Sequence, residues 1–223
     1  MSAPSAGLVA HLLADARLPV AGHTQSATLE PALVAGLPAD RIPDYVRLRL
    51  RTVTRVEAAT AVVALSHQRS GRDLRPVVEA WQARTPSAAM RATARTQGKA
   101  LLRLVARLWP ESAAVHAVAA LSAPPRPIVL AAAADAGGLS PVALAGLVGY
   151  DDVQTVISAA LKLTPMDPVV AAQWVHHALP EVDTLAVAVA TLTRPGGIPA
   201  SGAPQIEAWA EAHAVTPRRL FSA

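Results

Sequence analysis

The sequence predicts an all-α fold, a single-domain bundle of about ten helices, and three observations support this. Apolar residues make up 52% of the 223 residues but aromatic residues only 3%, so alanine fills much of the core. That composition favours closely packed helices, because strands prefer β-branched and aromatic residues. Proline repeatedly follows serine, threonine or aspartate, which is typical of helix starts. Finally, no pair of segments has the pattern of a β-hairpin.

The predicted helices follow one another in the order of these signals. A small polar residue before proline begins a helix, because its side chain accepts hydrogen bonds from free N–H groups and proline fits the first turn. Glycine or the next such signal ends it. The predicted segments cover residues 6–16, 29–36, 43–69, 73–84, 85–109, 111–121, 126–136, 140–163, 167–180, 182–193 and 204–213, and residues 194–204 form a loop.

The charged and sulfur-containing residues limit the classes of function. The net charge is +4, and arginine supplies 18 of the 20 basic residues, which suits acidic protein or nucleic-acid partners equally. The absence of cysteine excludes disulfides, thiolate nucleophiles and zinc ribbons. Because no run of about 18 strongly apolar residues occurs, we expect a soluble, cytoplasmic protein without a membrane span.

One predicted helix, over residues 85–109, carries a row of basic residues at four-residue spacing. Each step of four residues turns about 40° past a full turn, so the row spirals around the helix. It could be a solvated face, a partner-binding surface or, in a rival interpretation, the site of a basic all-helical nucleic-acid-binding protein. Gly98, in the middle of this helix, lowers helix stability by about 1 kcal/mol relative to alanine. Close approach of another backbone would explain why glycine stands there. The row consists of Arg91, Arg95, Lys99, Arg103 and Arg107.

Two pairs of adjacent polar residues are weak candidates for chemistry. His176 and His177, like Asp151 and Asp152, are neighbours in predicted helices, where adjacent side chains point about 100° apart. We therefore interpret them as polar helix surface, not as a metal site or an acid/base pair. No phosphate-binding loop, dinucleotide fingerprint or hydrolase motif occurs. A helical enzyme with a spatially assembled site is the second rival interpretation.

Four short blocks together have the order and spacing of a known family. The first is LPVAGHTQSATLE (residues 18–30), and the second is RATARTQGKALLRL (residues 91–104). The third is LKLTPMD (residues 161–167), and the chain closes with Arg219, Leu220, Phe221 and Ser222. In this combination the sequence resembles the urease accessory protein UreF family. It departs from the family pattern at Gln25 for tyrosine, Thr28 for glycine, Ala94 for serine and Lys162 for arginine.

The resemblance implies a function without catalysis. UreF-like proteins are all-helical, dimeric scaffolds that bind UreD (also called UreH) and recruit the GTPase UreG, so that nickel reaches apo-urease. It also implies that this chain binds no cofactor stably, that nickel is handled by the larger complex, and that nucleic acid is not a partner. The partner-binding residues are then expected to be Gln25, Ser26, Leu29, Glu30, Arg91, Arg95, Gly98, Lys99, Arg219, Leu220 and Phe221.

The first and last blocks are interpreted as parts of that binding surface. LPVAGHTQSATLE is predicted to be a turn and helix entrance in which Thr28 caps a helix beginning at Leu29 and Pro31 fits its first turn. His23 is expected to be a polar loop residue. At the C-terminus, from about residue 214, the planar Arg219 side chain would hold oxygen atoms of a partner. Leu220 and Phe221 would be apolar anchors, either on a partner or on the protein's own surface.

Overall fold

The computed structural model describes residues 4–15, 17–18, 24–217 and 220–221. In those residues the chain forms eleven α-helices and no strand, which confirms the predicted fold class. None of the described helices has the apolar length that crossing a bilayer requires. In order they are α1 (Ala6–Leu13), α2 (Leu29–Val34), α3 (Ile42–Arg51), α4 (Val53–Arg69), α5 (Arg75–Ala83), α6 (Ala88–Leu108), α7 (Ala113–Ala119), α8 (Arg126–Ala136), α9 (Pro141–Leu163), α10 (Pro168–Val189) and α11 (Pro204–Ala214).

Polar caps start several helices where the sequence predicts them. The Ser140 hydroxyl accepts a hydrogen bond from the N–H of Ala143 at the start of α9, and Asp167 does the same for Val169 in α10. The predicted start of α6 at Thr85 is wrong. Ser87 is the cap instead, with its hydroxyl 3.1 Å from the N–H of Met90, because the α-helix begins only at Ala88.

The core forms around α4 and α8. Every residue of α8 from Pro127 to Ala134 is buried, so this helix is apolar on all sides, which is typical of a helix enclosed by others. Ala131 to Ala134 have no exposed surface, and their small side chains let neighbouring helices approach closely. The alanine-rich composition therefore has a structural use in the centre of the bundle.

Two predicted helix boundaries are wrong for opposite reasons. The segment 43–69 is divided at Thr52 (φ −122°, ψ −96°), whose hydroxyl donates to the carbonyl of Leu48, a bond that bends helices. In contrast, α10 continues through Pro180, where a break was predicted. Its buried residues before and after Pro180, such as Ala178 and Val182, form one face against α9. Packing along that face outweighs the cost of an internal proline, about 3 kcal/mol.

Candidate functional site

Four sequence blocks that lie far apart in the chain meet around one cavity. The cavity has a volume of about 480 Å³. Each block contributes to its wall: Gln25 before α2, Gln97 and Leu101 of α6, Lys162 of α9 and Phe221 of the C-terminal tail. The blocks that carry the family resemblance are therefore parts of one site, although sequence alone shows only their order.

Glu30 of α2 holds the C-terminal tail against the bundle. Its two carboxylate oxygens accept hydrogen bonds from the backbone N–H groups of Leu220 (2.6 Å) and Phe221 (2.9 Å). The Nε2 atom of His213 in α11 lies 3.2 Å from the carbonyl oxygen of Phe221 and 3.7 Å from a Glu30 oxygen. Glu30 and His213 are both buried, so water does not compete for these contacts. We call this arrangement the tail clamp.

The clamp gives the two described tail residues different environments. Phe221 is only 4% exposed and packs into the protein's own core, with Nζ of Lys162 5.2 Å from the centroid of its ring. Leu220 is 64% exposed. In this structure the Phe221 ring therefore anchors the tail to its own chain, and Leu220 faces outwards. Arg219 and Ser222 lie outside the described residues.

The entrance to α2 differs from the predicted cap. Thr28 makes no capping hydrogen bond, because its φ of 66° is left-handed and a capping residue normally has an extended backbone. Ser26, fully buried two residues earlier, takes that role: its hydroxyl oxygen lies 3.4 Å from the N–H of Glu30. Leu29 is buried in the core, and Pro31 lies in the first turn as predicted.

The backbone at Thr28 is left-handed, a conformation that suits the glycine of the family pattern better than threonine. Ala27 (φ 49°) and Thr28 (φ 66°) are consecutive left-handed residues, a conformation that a Cβ atom disfavours. The turn is held from outside, since the hydroxyl of buried Tyr45 donates to the carbonyl of Ala27 at 2.7 Å. Burial raises the pKa of Tyr45 to about 12, so it remains a hydrogen-bond donor.

We expect the Thr28→Gly variant to be about 1 kcal/mol more stable than the Thr28→Ala variant. Both substitutions remove the threonine side chain beyond Cβ, but only glycine removes the left-handed strain at φ 66°. Urea denaturation of the two variants measures the difference. Equal stabilities, or a more stable alanine variant, would show that the turn carries no strain at this position.

Two of the predicted partner-binding arginines contact their own chain at the start of α6. Nη1 of Arg91 donates to the carbonyl oxygens of Thr85 (2.6 Å) and Pro86 (2.7 Å). Nη2 of Arg95 donates to the Gln82 side chain (3.2 Å), and its guanidinium lies 6.0 Å from the Trp81 ring centroid. These contacts fix the connection between α5 and α6. Whether either arginine also meets a partner stays a prediction.

Gly98 is buried where α6 crosses the start of α8. A Cβ atom there would lie 2.1 Å from the carbonyl oxygen of Pro124 and 3.0 Å from the N–H nitrogen of Arg126. The expected reason for a helical glycine, close approach of another backbone, is therefore confirmed. Its neighbour Lys99 is exposed.

A second cavity, of about 380 Å³, is lined by charged side chains that sequence reasoning missed, of which Arg49 is buried and the others are partly buried. The Nε and Nη2 atoms of Arg49 (α3) lie 2.9 and 2.6 Å from the two carboxylate oxygens of Asp152 (α9). The Thr54 hydroxyl donates to the same carboxylate at 2.7 Å. Beside it, Arg126 of α8 pairs with Asp151 at 3.0 Å. The interpretation of both aspartates as helix surface is therefore wrong, since each pairs with an arginine of another helix.

The charges around this cavity have altered acidities. Burial raises the pKa of Glu57 to about 6, although a hydrogen bond from the Trp81 indole nitrogen (2.7 Å) and the nearby Arg126 oppose the shift. Burial also raises the pKa of Asp151, and Arg126 opposes that shift too. The two cavities share five lining residues, so they adjoin each other: Gln25, Gln97, Arg126, Asp151 and Thr155.

The described residues contain no group of three or more histidine, aspartate or glutamate side chains that could hold a metal ion. His176 and His177 are exposed on α10, with ring centroids 5.9 Å apart. His23 lies outside the described residues, so the prediction that it is a polar loop residue stays a prediction. In the described residues the site is a set of partly buried ion pairs and a docked tail, an arrangement suited to positioning a surface.

Comparisons with known proteins agree with the resemblance. A family model described as UreF matches residues 38–179. The chain is 34% identical to a urease accessory protein UreF of Mycobacterium marinum, over 94% of this chain and 95% of that one. It is 31% identical to the UreF of Mycobacterium sp. strain JLS over the same shares. It is 36% identical to that of Mycolicibacterium vanbaalenii over 70% of this chain and 73% of that one.

Proposed function

Because the chain belongs to the urease accessory protein UreF family, we propose that it is a non-catalytic scaffold for urease maturation in the cytoplasm. In this proposal it forms a homodimer, binds the accessory protein UreD/UreH and recruits the GTPase UreG. The assembly then delivers nickel to apo-urease. Nickel is cargo of the assembly in this scheme, and this chain has no resident cofactor.

One observation supports a scaffold role most directly. The tail clamp brings the first and last blocks of the family pattern together, 190 residues apart in sequence. A carboxylate that accepts hydrogen bonds from two backbone N–H groups fixes the direction of the tail. The buried Phe221 ring fixes how deeply the tail sits in the bundle. The exposed Leu220 is then presented at a defined place. We propose that the docked tail, with the α2 entrance beneath it, is the surface that UreD/UreH binds.

Ordering this surface before binding would favour complex formation. Chain ends are poorly fixed unless docked, and a partner that must order a tail loses binding free energy to that ordering. The clamp removes part of that cost. Its residues Glu30, Leu220 and Phe221 are three of the predicted partner-binding residues, and Glu30 acts in this proposal by positioning the other two.

The test is urease activity, with nickel supplied, in the source organism after deletion of this chain. We expect deletion to abolish activity and wild type to restore it. Glu30→Gln should restore much less, because one amide oxygen replaces two charged acceptors. Losing one such hydrogen bond makes the free energy of tail docking about 2 kcal/mol less favourable. The ratio of docked to undocked tail then falls roughly thirtyfold.

A matched control separates the clamp from a general effect of losing a carboxylate. Glu79 is exposed on α5, so Glu79→Gln makes the same chemical change away from the tail. We expect it to restore activity fully, with both variants present at wild-type levels by immunoblot. Full activity after deletion would refute the proposed function. Equal rescue by Glu30→Gln and Glu79→Gln would retain the accessory role and refute the part assigned to the clamp.

A further inference from the structure

Five charged side chains of the described residues line the smaller cavity, of about 380 Å³, and their charges do not balance. Arg49 of α3 is committed to Asp152 by two hydrogen bonds, and Arg126 of α8 pairs with Asp151 at 3.0 Å. The fifth side chain is the carboxylate of Glu57 in α4, which forms no ion pair with a described residue. When all five groups are ionised, the wall of the cavity therefore carries one negative charge in excess.

Glu57 contacts a neutral donor where the two aspartates contact guanidinium groups. The Nε1 atom of Trp81, a fully buried residue of α5, donates to Oε1 of Glu57 at 2.7 Å. In the described part of the chain, that is the one hydrogen bond that the carboxylate accepts. An indole carries no charge, so it stabilises a carboxylate less than a guanidinium does. A partly buried carboxylate without a counter-charge favours its protonated form.

The other elements around the cavity do not supply the missing counter-charge. In the described residues α6 contributes only uncharged side chains to the wall. From α11 comes His213, whose Nε2 atom lies near the Phe221 carbonyl oxygen and the Glu30 carboxylate. The helices α5, α7 and α10 also pack against α4, but none of their described residues lines the cavity. The two guanidinium groups are therefore shared among three carboxylates.

We propose that Glu57 is a proton-binding switch in the wall of this cavity. The wall is neutral when Glu57 is protonated and carries one excess negative charge when Glu57 is ionised. In the ionised form Glu57 competes with Asp151 for Arg126, because that guanidinium attracts both carboxylates. The pairing between α8 and α9 then weakens, whereas the protonated form leaves each guanidinium with its own aspartate. This inference concerns the stability of the fold and does not depend on the proposed function.

The effect of this switch on stability has a definite direction. The pKa of Glu57 is about 6 in the folded chain, and the ordinary pKa of 4.5 applies to the unfolded chain. A carboxyl group whose pKa is raised by folding destabilises the fold when it is ionised. The destabilisation is therefore complete well above pH 6 and disappears as the pH falls to about 4.5. Between about pH 7.5 and about pH 5.0, protonation of Glu57 should lower the unfolding equilibrium constant roughly eightfold.

The test compares Glu57→Gln with wild type by urea denaturation at those two pH values. The glutamine side chain can still accept the Trp81 hydrogen bond but binds no proton, so the variant lacks the contribution of this titration. We expect the ratio of the wild-type to the variant unfolding constant to fall roughly eightfold on acidification. Glu79 is exposed on α5, so Glu79→Gln is the matched control and should keep the wild-type pH dependence.

An NMR titration of the carboxyl groups tests the same switch without unfolding. In wild type labelled with carbon-13 at the glutamate side-chain carboxyl, one resonance should titrate with a midpoint near pH 6, and Glu57→Gln should lack it. Histidines do not contribute to these signals. Parallel pH dependences of wild type and folded Glu57→Gln would overturn the inference. A wild-type spectrum in which every glutamate titrates below about pH 5 would overturn it too, even if the variant does not fold.

Discussion

Replacing Arg49 by methionine is expected to lower the free energy of unfolding by about 3–5 kcal/mol. Arg49 is 5% exposed and forms two hydrogen bonds to Asp152, with distances of 2.6 and 2.9 Å. Burial alone would lower the pKa of Arg49, but the attraction of Asp152 outweighs it and raises that pKa above its ordinary value. Without Arg49, the Asp152 carboxylate keeps the Thr54 hydroxyl but no counter-charge. The cost comes mainly from leaving that charge unpaired in the interior.

The same helix supplies the control for this prediction. Arg51, two residues along α3, pairs with Glu181 at 3.2 Å, but its side chain is 72% exposed. Because exposed ion pairs contribute about 0–1 kcal/mol, Arg51→Met should change the unfolding free energy by less than about 1 kcal/mol. Urea denaturation of both variants gives the comparison. If Arg49→Met were as stable as Arg51→Met, the buried pair would not hold α3 against α9.

Sequence patterns predicted most helices because the signals for helices are local. Ser140 and Asp167 cap their helices as predicted, and the segment 126–136 matches α8 at both ends. The failures at Thr52 and Pro180 come from information outside a local window. A back-bond from Thr52 divides one predicted segment, and packing against α9 keeps α10 continuous through Pro180.

The candidate site was predictable only in part, because its parts meet through tertiary packing. The family blocks identified Glu30 and Phe221, but no spacing rule indicates that one would hold the backbone beside the other. The pairing of Arg49 with Asp152 joins residues 103 positions apart. Adjacent aspartates on a helix normally indicate an exposed surface, and only the position of α3 and α8 beside α9 turns them inwards.

Gly98 is the residue at which sequence and structure agree most directly, and it supports the second large prediction. A glycine inside a helix costs about 1 kcal/mol relative to alanine, so a sequence keeps it there for another reason. Here the backbone of Pro124 occupies the space of the missing side chain, with its carbonyl oxygen 2.1 Å from the Cβ position. No rotamer change relieves that clash, because the obstacle is backbone and the added atom is Cβ itself.

We therefore expect Gly98→Ala to lower the free energy of unfolding by about 3 kcal/mol, since α6 and the start of α8 must separate. Thermal unfolding should show a decrease in Tm of about 6–12 °C, at about 2–4 °C for each kcal/mol. Gly146→Ala in α9 is the control. There the Cβ atom would meet only the Cβ of Ala186, at 3.9 Å, so alanine should stabilise the helix by up to about 1 kcal/mol. Two alanine substitutions in helices should thus act in opposite directions, and a stabilising Gly98→Ala would show that α6 and α8 do not approach as closely as described.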